Sequence, residues 1–178
     1  MSDMQESLQG SDIPSLQDFN LASGAYRMVL LGIDDVPCMV ALQDRTGCEN
    51  IVPRTIDYYY THLFTGQCAL GIRDSEGVLV AQGLIKCDGG GSLIQNVLVD
   101  PAHRGQKLSS RLITQWLELL KESGIGFAQA RVRIDNHSSL HNFLACGMDI
   151  TQTIPSPEDP RYMVHVLTKV VKDGFAPQ

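Results

Sequence analysis

The chain is short of positive charge: 14 lysines and arginines stand against 20 aspartates and glutamates, a formal net charge of −6 over 178 residues. That balance argues against a general nucleic-acid binder, which needs many cations to displace counterions from phosphates. An anionic ligand has to be met by a local site. Cysteine is scarce and scattered, at positions 38, 48, 68, 87 and 146, with no CxxC and no even count. A disulfide framework is therefore not expected, and the thiols read as reduced, mostly core residues of a cytosolic protein. No apolar stretch approaches the length needed to span a bilayer. The opening "MSDMQESLQGSDIPSLQDFN" lacks the basic start and apolar run of a signal peptide. The expectation is a soluble, cytoplasmic protein with neither membrane nor nucleic acid as partner.

Several loops that carry chemistry are missing too. There is no GxxxxGK[ST], no GxGxxG after a strand and no GxSxG nucleophile elbow. "DGGGSL" precedes a strand and so reads as a turn.

What is present fits one ordinary domain, with 43% hydrophobic residues to build its core. Residues 1–22 are polar and rich in Ser, Asp and Gln, expected as a flexible tail; a single domain is expected over 23–174. "YRMVLLGI" reads as a strand. "DDVPCMVALQDR" follows as a helix capped by Asp34 or Asp35, with Pro37 in its first turn. "RTIDYYYTHLFTG" reads as a short helix capped by Thr55 and stopped by Gly66. Three strands then run from Gln67 to Val99, joined at Asp74–Gly77 and Asp88–Gly91, where the residues suit hairpin turns.

Leu108, Leu112, Trp116 and Leu120 recur at helical spacing, flanked by Ile113, Leu117 and Leu119, and Gly124 supplies the stop. "FAQARVRI" alternates like a strand, "SSLHNFLACG" is a short helix, "IPSPEDP" is a loop and "RYMVHVLTKVV" is a final strand. The order, β-α-α-β-β-β-α-β-α-β-β, predicts an α/β (α+β) fold with a mixed central sheet and helices on both faces.

The stretch "NVLVDPAHRGQKLSSRL" concentrates the chemistry. An apolar strand ends at Asp100-Pro101 and hands over to a helix through Arg104, Gly105 and Lys107. The first N–H groups of a helix lack intrahelical acceptors and its dipole favours negative charge, so such a turn is suited to an anion. Gly105 lets a ligand approach the backbone. Arg104, Lys107 and Arg111 fall at i, i+3 and i+7 and would share one side of the first two turns. A solvated basic face on a packed helix accounts for that spacing as well.

"NVLVDPAHRGQKLSSRLI" resembles the cofactor motif of the GNAT superfamily of acyl-CoA N-acyltransferases, through Val99, Pro101 and Arg104. Lys107 stands where the family usually has its second glycine, and Ser109 is at the small position. Downstream, "NHSSLHNFLACGM" is similar to the family's second motif, at Asn136, Ser139, Phe143, Gly147 and Met148. The two motifs cover about residues 92–148, and the rest agrees in element order.

The resemblance implies a mainly antiparallel sheet of about seven strands and acetyl-CoA as cofactor. The strand ending at Leu98-Val99 would splay from its neighbour and offer backbone groups to the pantetheine arm and the thioester carbonyl. The backbone of Arg104, Gly105, Gln106, Lys107, Leu108 and Ser109 would hold the pyrophosphate, and Asn136 would hydrogen-bond the cofactor. The reaction implied is direct attack by a neutral primary amine, through a tetrahedral intermediate, releasing CoA. The acceptor is a small-molecule or peptide amine, and the protein is expected as a monomer or homodimer.

Two positions depart from the family pattern. Phe143 occupies the usual general-acid tyrosine position and cannot donate a proton; a thiol with a pKa of about 8.5 is still a tolerable leaving group as thiolate. Lys107 crowds a place where glycine is usual. These departures motivate the alternative of a catalytically degenerate domain that binds CoA as a sensor or interaction module. His141 and Cys146 are substitute acids only against the simpler reading of helix surface and core. The strand "GSLIQNVLV" carries no carboxylate, so no catalytic residue is assigned as base; a water path to Asp57 or His62 stays open. Three consecutive tyrosines, 58 to 60, point about 100° apart on a helix and cannot all be core. His137 and His141 sit four apart, but with no glutamate motif and no third ligand no metal is expected.

Overall fold

The computed structural model describes residues 18–21, 24–47, 52–88 and 90–172. They form eight strands and four α-helices: β1 (Asp18–Leu21), β2 (Gly24–Leu30), α1 (Val36–Thr46), α2 (Ile56–Phe64), β3 (Cys68–Arg73), β4 (Leu79–Asp88), β5 (Gly91–Val99), α3 (Leu108–Glu122), β6 (Phe127–Arg133), α4 (His137–Ala145), β7 (Asp149–Pro155) and β8 (Met163–Val170). Short 3-10 turns, Ile33–Asp35 and Pro101–His103, lead toward α1 and α3.

The strands make one sheet in the order β1-β2-β3-β4-β5-β6-β8-β7. Every pairing is antiparallel except β5 with β6. The mixed, mainly antiparallel sheet expected from the sequence is thus observed, with one strand more than the seven read there. The addition is β1, at the end of the polar segment read as a tail: Asp18 to Leu21 pair with Arg27 to Gly24. A polar composition hides an edge strand, because its backbone needs only one neighbour to pair. Residues 1–17 lie outside the described residues.

Each sheet face carries its own core. One is built on the α3 stripe: Leu108, Leu112, Ile113, Trp116, Leu117, Leu119 and Leu120 are all buried, and join Ala128, Ala130, Phe143 and Leu167. The other gathers Val36, Met39 and Leu42 of α1 and Tyr59 and Leu63 of α2 over Ala69, Leu79 and Leu84. Burying a side chain of this size stabilises by roughly 1.5–3 kcal/mol, so the stripe dictates where α3 docks.

Local signals behave as their chemistry requires. Thr55 caps α2 by accepting from the Tyr58 N–H at 3.2 Å, and Asp35 is the N-cap residue of α1, with Pro in the first turn. Asp74 accepts from the N–H groups of Glu76 and Val78 in the β3–β4 turn, while Asp88 pairs with Gly91 across the next hairpin. Among the described residues no helix is long and apolar enough to cross a membrane, and no three His, Cys, Asp or Glu side chains are grouped to hold a metal.

Candidate active site

The parallel ladder between β5 and β6 is short. It pairs Gly91–Phe127, Ser92–Ala128, Leu93–Gln129 and Ile94–Ala130, then stops. β6 continues paired to β8 as far as Arg133–Val164, and β5 continues paired to β4 as far as Val99–Ala81. Between Gln95–Val99 on one side and Arg131–Arg133 on the other, the sheet therefore opens. Among the described residues no strand pairs with the backbone groups of β5 that face this gap.

The opening coincides with a bulge. Gln82 is opposite Leu98, but Leu84 is opposite Gln95, so β5 holds one residue more than β4 over this span. The extra residue is taken up at Asn96, whose φ is +51°. Asparagine is among the few non-glycine residues that enter this left-handed region at modest cost. Opposite it, Gly83 leaves room: a Cβ there would lie 3.4 Å from Trp116 Nε1 and 3.6 Å from Val97 Cγ2.

On the α2 side the Asn96 side chain meets a buried polar cluster. Its Nδ2 donates to the Tyr59 hydroxyl at 3.1 Å. Gln82 Nε2 donates to the same oxygen at 3.1 Å, and the hydroxyl donates to Gln43 Oε1 at 3.1 Å. Gln43 Oε1 also accepts from the Arg54 N–H at 2.8 Å, and its Nε2 donates to the Arg54 carbonyl at 2.9 Å. Tyr59 is fully buried, and burial pushes its hydroxyl pKa above the ordinary value, against the pull of the Gln82 and Asn96 hydrogen bonds. It is a neutral hub at neutral pH. Gln82 Oε1 and Arg54 Nε are buried with no partner among the described residues.

The turn before α3 forms the adjoining half of the site. Asp100 caps the 3-10 turn through the Ala102 N–H and accepts from Arg45 Nε at 2.7 Å. Burial pushes its carboxyl pKa up, but the hydrogen bonds of Arg45 and Ala102 outweigh that and hold it below the ordinary value. Gly105 has φ +79° and Lys107 φ +59°. Nothing lies within 4 Å of a Cβ built on Gly105. No acceptor among the described residues meets the N–H groups of Leu108, Ser109 and Ser110.

This geometry corrects one expectation. α3 begins at Leu108, so Arg104 is not on the helix and the i, i+3, i+7 alignment fails for it. Two left-handed residues turn the chain between them, and Arg104 instead reaches the Thr46 carbonyl at the end of α1. Lys107 is exposed, and the glycine-like demand at its position is a positive φ.

The other sequence candidates fall as follows. Leu98 and Leu108 have side chains buried to 2% and 1% exposure, so only their backbones can serve a ligand. Val99 and Ser109 are half-buried, as is Gln106. Asn136 stands just beyond β6, its side-chain carbonyl capping α4 by accepting from the Ser139 N–H at 3.1 Å. Phe143 is 3% exposed and belongs to the α3-side core. Cys146 Sγ lies 3.6 Å from the Ser110 carbonyl; His137 and His141 are exposed.

His62 is a core residue. Its Nε2 donates to the Cys68 carbonyl at 3.1 Å, and burial lowers its pKa. Asp57 is exposed on the first turn of α2. Of the tyrosines, Tyr59 is buried while Tyr58 and Tyr60 are half-buried. The Arg54 guanidinium lies 4.6 Å over the Tyr58 ring and pairs with Glu158 of the β7–β8 loop.

Sequence reasoning passed over the Tyr59–Gln82–Gln43–Asn96 cluster. One signal was available: an asparagine inside "LIQNVLV" is a turn former in a run of strand formers, which marks a bulge.

Comparison with known proteins identifies the family and the fold. The model of the acetyltransferase (GNAT) family matches residues 41–148. No curated protein sequence matches the chain. Among solved structures, the ribosomal-protein-S18-alanine N-acetyltransferase of Escherichia coli superposes with a TM-score of 0.72 at 15% identity, over 86% of this chain and 97% of that one. The ribosomal-protein-S5-alanine acetyltransferase of Vibrio fischeri gives 0.73 at 12% identity, over 90% and 100%. The yncA protein of Salmonella typhimurium, solved with its cofactor acetyl-CoA, gives 0.69 at 15% identity, over 86% and 98%. At these identities the likeness is one of fold.

Proposed function

We propose, from the premise that this chain belongs to the acetyltransferase (GNAT) family, that it moves an acetyl group from acetyl-CoA to a primary amine. The observation that carries this reading is the coincidence of two unpaired backbone sets: the β5 edge past Ile94 and the N–H groups that open α3. They adjoin through the eight-residue handover from Asp100 to Lys107.

The residues present fit the cofactor. Gly105 has open space where a side chain would stand, and the first turn of α3 presents Leu108, Ser109 and Ser110 N–H groups without acceptors among the described residues. These groups, with the backbone of Arg104, Gly105, Gln106 and Lys107, would hold a pyrophosphate. The Lys107 side chain adds a mobile charge. The edge of β5 at Leu98 and Val99 would take the amide groups of the pantetheine arm as a strand takes a neighbour. Asn136 flanks the same opening from the β6 side. Bound there, acetyl-CoA would supply the thioester: the amine nitrogen would bond to its acyl carbon, the C–S bond would break, and the proton the amine gives up would balance the one the leaving thiol takes.

The chain's own contribution is orientation and charge stabilisation. Backbone N–H groups fixed in a sheet need no reorganisation to meet developing negative charge on an oxygen, and such donors are each worth about 2.7–4 kcal/mol of barrier in other acyl transfers. No side-chain acid is supplied by Phe143, which is walled into the core. The amine would approach from the α2 side, past Arg54, Tyr58 and Glu158.

The test is a thiol-release screen of primary amines, including polyamines, amino acids and peptide N-termini, with acetyl-CoA. The expected result is release matched by acetamide formation on at least one class. Binding of acetyl-CoA with no turnover on any amine would overturn the reading.

A further inference from the structure

The buried cluster around Tyr59 is attached to the residue of β5 that has a positive φ, Asn96. We infer that Tyr59 is a positioning residue whose hydroxyl clamps the Asn96 bulge and thereby sets the direction of the backbone donors that meet the thioester carbonyl. The inference rests on the acetyl-transfer reading above.

Three observations carry it. First, Asn96 is one of two non-glycine residues with positive φ among those described, the other being Lys107 in the turn before α3. A conformation of this kind persists only where its surroundings hold it. Second, what holds it is specific. Asn96 Nδ2 donates to a hydroxyl that is itself fixed by Gln82 from β4 and Gln43 from α1. The hydroxyl oxygen accepts two N–H groups and donates its only proton, so its geometry is fully determined. Third, the bulge is gripped from both faces. Asn96 is tied to α2 below, while Val97 approaches the space left by Gly83 beside Trp116 of α3 above. The ladder with β6 ends two residues earlier, at Ile94. The peptide groups whose direction the bulge determines are therefore those that face the opening.

Tyr59 also has no freedom to act as an acid. Its proton is committed to Gln43 Oε1, which accepts the Arg54 N–H as well. The cluster consequently extends to the backbone of Arg54, whose side chain pairs with Glu158 at the β7–β8 loop. The clamp on the bulge and the wall proposed for the amine side are one hydrogen-bonded unit.

The test reads the carbonyl itself and needs no acceptor. Isotope-edited infrared spectroscopy of acetyl-CoA labelled at the thioester carbonyl compares bound with free cofactor. In the parent protein the bound band is expected at lower frequency, because fixed donors polarise the C=O bond. Tyr59→Phe should lose most of that shift while binding acetyl-CoA about as tightly, since the pyrophosphate turn is untouched.

Asn96→Gly supplies the control. Glycine takes φ near +50° without an anchor, so this variant should keep the shift, and Tyr59→Phe in the Asn96→Gly background should regain it. A purely structural role for Tyr59 would lower the melting temperature of both Tyr59→Phe variants alike and leave the band in place. Tyr59→Phe with the parent shift, or a loss that Asn96→Gly does not relieve, overturns the inference. Failure of acetyl-CoA to bind the parent protein by calorimetry would instead sink the acetyl-transfer reading.

Discussion

His62, Cys68 and Cys87 show how burial sets the chemistry of single residues. His62 donates to the Cys68 carbonyl inside the α2–β3 contact, and burial lowers its pKa from the ordinary 6.5. A histidine whose folded pKa is depressed favours the native state fully above its unfolded pKa. As pH falls below that value the unfolded chain takes up a proton that the folded one refuses, and the advantage is lost until the folded pKa is passed. Stability should therefore decline as pH drops below about 6.5. His62→Gln should be flatter over the same interval in urea titrations at stepped pH. An unchanged slope would mean the imidazole is not held neutral. Burial pushes the Cys68 thiol up to about 12 and the Cys87 thiol up to about 11. Both should resist iodoacetamide in the native protein, while exposed Cys38 reacts before them, as mass mapping of alkylated peptides will report.

Elements were legible wherever one periodicity dominated. The α3 stripe, the Thr55 cap and the two hairpin turns were all readable, because each follows from local chemistry that the tertiary fold leaves alone. β1 was not, since edge pairing needs no apolar face. The turn before α3 was read only in part. Sequence spacing assumed a helix from Arg104, whereas Gly105 and Lys107 both have positive φ and delay it to Leu108. A lysine in that conformation carries strain that glycine would not. Lys107→Gly is accordingly expected to raise stability by up to about 1 kcal/mol in denaturant unfolding. The same variant should bind CoA more weakly and with less salt dependence, because one charge near the phosphates is gone. A loss of stability on this substitution would show that the lysine side chain has a structural partner in solution.

At the scale of the whole molecule, the fold places a gap in the sheet between two separately packed faces. α3 and α4 cover one and α1 and α2 the other, so the β5–β6 opening is flanked by packed layers. The two stretches that resemble the family's motifs were visible in the sequence because they depend on a turn and a cap, features encoded within a few residues. The cluster of Gln43, Tyr59, Gln82 and Asn96 was not, because its members come from four elements and meet only through the sheet. Phe143 likewise could not be placed from sequence: the same position could have faced the opening, and it is instead packed in the core.

The central claim is that the turn from Arg104 to Ser109 cradles the pyrophosphate while β5 takes the pantetheine arm. Calorimetric titration with CoA, dephospho-CoA and pantetheine addresses it most directly, because the series removes first the 3′-phosphate and then the pyrophosphate together with the adenosine it carries. Dephospho-CoA should retain most of the affinity of CoA, and pantetheine should lose most of it. Pantetheine binding as tightly as CoA, or no heat from any of the three at millimolar concentration, would contradict the account.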